Sequence, residues 1–269
     1  MPKSGVRTSP IPTWDSVPFP EGHRGLTILL VVWPCLGVST LRSDLLAASE
    51  LSCGAEFDGN SRYVWRGLAL GNGSVLQPAA WASLAGLTLT PWVSLAFREG
   101  DARAGFNELD STLAYSRDMS SLTVNPPFAF CLYPDEVDAP PTGELALAPC
   151  RPVGPVSVFT DSSVDLIATP GAYYGDAGLG FEPDLIRNLA IEASASVGWG
   201  SAWFNAASLG ANRPAFNTAG GDFAPTWSPG GLLYLRPRAA LSVLLDRELR
   251  TAVPSPPLIA GELAVGRDF

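Results

Sequence analysis

Lysine and histidine are almost missing from this 269-residue sequence: Lys3 is its only lysine and His23 its only histidine, and both precede the first apolar run. After Arg24 there is no imidazole to activate a serine or cysteine, no amine for a Schiff base and no phosphate-loop lysine. Zinc loses its commonest ligand, and Cys53, Cys131 and Cys150 lack close zinc spacing, so neither a metal nor a cofactor is expected. No glycine-rich nucleotide motif stands between a strand and a helix. Only paired-carboxylate chemistry stays open, and the chain is not expected to be an enzyme.

Charge is scarce too, at 16% of residues, and it leans acidic, with a formal net charge of -9. Arginine supplies nearly all the positive charge and forms no basic patch, so nucleic acid is not an expected partner. No apolar run approaches the ~20 residues a membrane helix needs. The run from Leu26 to Val38 follows Arg24 and is broken by Pro34. Its length suits the ~7–15-residue apolar region of a secretory signal. Small residues place cleavage near 39 (Gly37 with Ser39) or near 49 (Ala47 with Ser49). Residues 1–49 therefore read as an N-terminal extension and secretory signal peptide, with an uncleaved anchor as the alternative, and 50–269 as one domain. Losing 1–39 removes Lys3, Arg7 and Arg24 with Asp15 and Glu21, which leaves the remainder acidic.

What is present is alternation. Leu87, Leu89, Pro91, Val93, Leu95 and Phe97 interleave with Thr88, Thr90, Trp92, Ser94 and Ala96, and a similar pattern runs from Leu189 to Trp199. Residues two apart share a sheet face. Runs of this length match the ~9–11 residues of a tilted membrane-crossing strand rather than the ~5–6 of an average soluble strand. Such segments are expected over 55–70, 74–85, 87–98, 107–117, 121–133, 142–151, 154–168, 172–182, 188–199, 221–229, 232–245 and 258–269. The fold class is then all-β: an antiparallel transmembrane β-barrel of about twelve strands, with roughly ten to fourteen allowed by the weak stretch 200–240. An even count leaves both termini on the periplasmic side. It also sorts the connections into short turns such as 117–121 and 183–187 and long outer loops such as 200–220 and 246–257. The closing segment alternates as Ile259, Gly261, Leu263, Val265, Arg267 and Phe269, and a terminal aromatic on such a strand is the expected barrel-closing signal.

With apolar positions facing lipid, Arg98, Glu108, Asp110, Glu144, Glu192, Arg238 and Glu262 point into the lumen as candidate selectivity residues. The face on which Arg62 and Arg66 lie is not assigned by this pattern. Cys131 and Cys150 fall symmetrically about Pro140-Pro141 and on the inward face, a placement that permits a disulfide. Tyr63, Trp65, Trp81, Tyr115, Tyr133, Trp199 and Phe269 lie near strand ends, where interfacial girdles are expected.

The segment Ser61-Arg62-Tyr63-Val64-Trp65-Arg66-Gly67 resembles the start of the TorF-type family of porin-like bacterial outer-membrane proteins. Similar pieces follow in order: Leu76-Gln77-Pro78-Ala79, Phe106-Asn107-Glu108-Leu109-Asp110, Thr142-Gly143-Glu144-Leu145, Gly171-Ala172-Tyr173-Tyr174 and the Phe269 ending. They cover most of 55–269, and Tyr63-Val64-Trp65-Arg66-Gly67 is the most specific. The resemblance implies an outer-membrane barrel and a porin role, and it brings no catalytic residues or substrate with it.

The expected function is a passive, acid-lined channel for small hydrophilic solutes in the outer membrane of a Gram-negative bacterium. Its expected partners are outer-membrane lipid, the barrel-assembly machinery and those solutes. Two alternatives stay open: a closed structural or interaction barrel of the envelope, and a secreted soluble β-sandwich. The oligomeric state is not set by the sequence.

Overall fold

Period-two alternation, carried through twelve segments, builds one closed ring of antiparallel strands in the computed structural model. The structure describes residues 51–269 except 72, 98–103, 120, 121, 137, 187, 231 and 254–256; the predicted signal segment and Arg98 lie outside the described residues. The barrel strands are β1 Ser52–Asn60, β2 Val75–Leu84, β3 Leu87–Phe97 and β4 Ala104–Tyr115. Then come β5, in two pieces, Leu122–Asn125 and Pro127–Leu132, and β6 Thr142–Val153, β7 Val156–Asp165 and β8 Tyr173–Phe181. The ring is completed by β9 Leu189–Gly200, β10 Ala215–Gly230, β11 Leu233–Leu244 and β12 Leu258–Asp268.

Closure is made by β12 pairing with β1, in register from Gly54 opposite Asp268 to Asn60 opposite Glu262. The Phe269 N–H donates to the Cys53 carbonyl at 2.9 Å just past that seam. A closed ring leaves no unpaired edge, which is what a backbone in hydrocarbon requires. The polarity is inverted relative to a soluble protein. Phe57 is 59% exposed and Ile259 70% exposed on the outside, whereas Glu56, Glu108 and Glu144 are among the most buried residues of the chain. This closed, inside-out ring replaces the β-sandwich alternative.

The two ends of the barrel differ. One carries tight turns, such as Ala85-Gly86, where both residues have positive φ (49° and 83°) as a two-residue type I′ hairpin demands. The other carries longer connections, including helix α1 (Ala202–Leu209) and helix α2 (Arg247–Ala252). Both helices begin at a side-chain cap: Ser201 Oγ accepts from the Phe204 N–H, and the Asp246 carboxylate accepts from the Glu248 and Leu249 N–H groups. Arg213, just past the end of α1, reaches the start of α2 at Asp246 (3.4 Å) and Glu248 (2.8 Å).

Three expectations are corrected here. The first strand does not run over 55–70; it stops at Asn60, and the chain turns inward. The strand expected at 221–229 instead spans Ala215–Gly230, because α1 takes up only the first part of the stretch that had read as a long loop. The disulfide geometry also fails. Cys131 stands opposite Thr142, but Cys150 stands opposite Thr123, and both thiols are free. The reversal begins at Tyr133 rather than centring on Pro140-Pro141, so the thiols are separated by eight positions of β6, about 26 Å at strand rise.

Candidate functional site

The inward chain after β1 forms a small hairpin, Val64–Trp65 paired with Leu68–Ala69, folded into the lumen at the loop end. Its turn is Arg66-Gly67, with φ of 44° and 80°, the two positive values of a type I′ turn. An arginine in the left-handed region is uncommon and stores backbone strain. Gly67 is needed twice over, because a Cβ there would also collide with the Thr218 side chain of β10.

The surroundings explain how that strain is held. Arg66 Nη2 donates to both carboxylate oxygens of Glu144, at 2.9 and 3.0 Å, and to Ser163 Oγ at 2.6 Å. The guanidinium also lies 4.4 Å from the Tyr174 ring centre, 4.8 Å from Trp65 and 5.2 Å from Phe204. Phe204 descends from α1 and stacks on Tyr174 at 4.9 Å and on Trp65 at 5.7 Å. On the other flank Tyr63 packs against Trp92 of β3 at 5.8 Å, and its hydroxyl donates to Glu108 Oε2 at 3.0 Å. Burial, with Glu108 and Asp110 behind it, pushes the Tyr63 phenol well above its ordinary range, so it remains a donor. Tyr63, Trp65, Leu68, Trp92, Tyr133, Phe204, Leu209, Leu244 and Leu249 thus share one apolar cluster inside the external mouth. The expectation that Tyr63, Trp65, Trp81 and Tyr133 form a lipid girdle is corrected: all four are buried. Tyr115 and Phe269 do face outward, and Arg267 stacks on the Phe269 ring at 5.1 Å.

A second group of charges lines the wall made by β10, β11, β12 and β1. Arg236 reaches Glu56 at 2.7 Å and Glu262 at 3.9 Å; Arg238 reaches Asp222 at 2.7 Å and Glu262 at 3.5 Å. The Arg236 and Arg238 side chains are 16% and 20% exposed, so this belt is partly accessible to solvent. Glu192 of β9 is half-buried beside it.

The predicted lumen residues therefore divide. Glu262, Arg238 and Glu192 belong to the belt, Glu144 is the hairpin's anchor, and Glu108 and Asp110 sit buried beneath the hairpin. Glu56, Asp58, Asp222 and Arg236 were not singled out in the sequence, although the two-residue spacing of Arg236 and Arg238 with their acidic partners could have found them. Cross-strand pairing also brings Asp110 directly opposite Cys131. The potential ligand atoms of Glu108, Asp110 and Cys131 all lie within 4.8 Å of one another, a cluster that linear spacing hides.

No protein-family model and no curated protein matches the sequence. Among solved structures the chain is similar to the KdgM porin, at 9% identity and a TM-score of 0.51 over 80% of this chain and 99% of that one. It is also similar to the NanC porin, at 9% identity and a TM-score of 0.48 over 80% and 98%. The translocator domain of the autotransporter NalP from Neisseria meningitidis aligns at 11% identity and 0.46 over 84% and 92%. At such identity the KdgM match supports the barrel fold alone.

Proposed function

We propose that this chain is an outer-membrane channel of the porin kind for small hydrophilic solutes, favouring cations, with its external mouth narrowed by the inner hairpin. The observation that carries the reading is the charged belt. Glu56, Asp222 and Glu262, with Glu192 beside them, outnumber Arg236 and Arg238 on a partly solvent-accessible wall. Charges survive inside a membrane-spanning wall when they are paired or hydrated, and Glu56, Asp222 and Glu262 are paired. The lipid-facing outside, the closed seam and the strand count give the chain what it needs to sit in an outer membrane. The KdgM similarity supports the barrel on which the reading rests.

The apolar cluster across the mouth favours a second reading, a closed barrel whose helices α1 and α2 meet an envelope partner. Trp203 of α1, 62% exposed, is the kind of side chain such a partner would cover. Planar-bilayer recording of the purified protein in a salt gradient separates the two. Discrete steps with a cation-favouring reversal potential support the channel. Silence from a heat-modifiable, protease-resistant barrel overturns it in favour of the scaffold.

A further inference from the structure

Glu108 and Asp110 sit side by side on β4, two residues apart on the inward face, at 2% and 3% exposure. Two carboxylates so placed need compensation, since a buried charge without a partner is strongly unfavourable. Elsewhere in the lumen Glu144, Glu56, Asp222 and Glu262 are paired with Arg66, Arg236 and Arg238. Among the described residues no ion pair reaches Glu108 or Asp110. Tyr63 satisfies Glu108 Oε2, but Glu108 Oε1 and Asp110 Oδ1 are buried and accept no hydrogen bond. The group facing them is the fully buried Cys131 of β5, opposite Asp110 in register.

We infer that Glu108, Asp110 and Cys131 bind a divalent transition-metal ion of the zinc class beneath the inner hairpin. Three observations converge. The ligand atoms lie within 4.8 Å of one another. Two carboxylate oxygens are buried without partners and supply the missing bonds. The thiol selects a borderline-soft ion over calcium or magnesium, which take oxygen ligands. Binding forms two metal–oxygen bonds and one metal–sulfur bond and releases the Cys131 proton to solvent. Three protein ligands leave the fourth position of a tetrahedral ion to water or a passing solute. The Tyr63 hydroxyl on Glu108 orients that ligand, so the metal and the hairpin support each other. The site holds whether or not the barrel conducts.

The test uses the full chain purified in detergent, stripped with chelator and titrated with cadmium chloride, following the ultraviolet thiolate-to-metal charge-transfer band. Zinc is then measured by competition with a chromophoric chelator. One equivalent per chain is expected, with the band lost in Cys131→Ser and retained in Cys150→Ser. Zinc affinity falls on the order of 100-fold in Glu108→Gln and roughly tenfold in Tyr63→Phe. Heat-modifiable mobility checks that each variant is folded. No band in the folded wild-type protein, or a band that survives Cys131→Ser, overturns the site. Should Cys131→Ser fail to fold, Glu108→Gln decides: it keeps the thiol and removes one carboxylate charge, and unchanged zinc affinity there overturns the inference.

Discussion

The wall of β10, β11, β12 and β1 pairs Glu56, Asp222 and Glu262 with arginine, whereas the wall of β3, β4 and β5 leaves Glu108 and Asp110 to a phenol and a thiol. The difference follows from cover. In the first wall Arg236 and Arg238 stay 16% and 20% exposed while reaching their partners. The second lies under Tyr63 and Trp92, whose rings pack 5.8 Å apart. Between them the hairpin delivers Arg66 to Glu144. Each arrangement sets a different response to losing a charge.

Removing Arg66 gives the largest effect. Its partner Glu144 is 1% exposed, and stranding a buried partner costs about 3–5 kcal/mol. Arg66→Ala should lower the unfolding midpoint in urea and make the Arg62–Leu70 stretch sensitive to protease, while Glu144→Gln should lower it less. An unchanged midpoint in Arg66→Ala would break the comparison at its start.

The two walls should then diverge under matched substitutions. Arg236→Ala strands Glu56, whose side chain is fully buried, and should destabilise by roughly 2–3 kcal/mol, below the fully buried case because Arg236 is partly wet. Glu108→Gln relieves charge on the covered wall and should change stability by no more than about 1 kcal/mol, or raise it, in metal-free protein. Urea titrations of both variants with chelator present read this directly. Equal losses would mean that the walls do not differ.

Selectivity sharpens the contrast. Glu192→Gln and Glu262→Gln should move the reversal potential toward zero, because these carboxylates stand with the partly solvent-accessible belt. Glu108→Gln should leave it in place. The smallest effect is expected for the 3.9 Å pair of Arg236 and Glu262, where a double-mutant cycle should return less than about 1 kcal/mol.

Much of the barrel is legible in the chain because a strand exposed to lipid on one face and to lumen on the other must alternate, as Leu87 to Phe97 does. The hairpin is not legible as a hairpin, since Tyr63 and Trp65 keep that same period and continue the strand on paper. Only Arg66-Gly67 encodes the reversal, and an arginine stands where asparagine or aspartate would announce a type I′ turn. The segment Tyr63-Val64-Trp65-Arg66-Gly67 is therefore the one that folds into the lumen. Contacts between distant strands are equally hidden: Arg66 meets Glu144 across 78 positions, and Asp110 meets Cys131 through register alone. The symmetric cysteine placement misled because register depends on where the turn starts, and Tyr133 starts it early.

The central claim is that the hairpin held by Arg66 and Glu144 sets the width of the mouth. Single-channel recording of wild type and Arg66→Ala under the same salt tests it most directly. The account predicts small, cation-favouring steps for wild type and steps several-fold larger for the variant. Identical step sizes in the two proteins, with both barrels heat-modifiable, would contradict it.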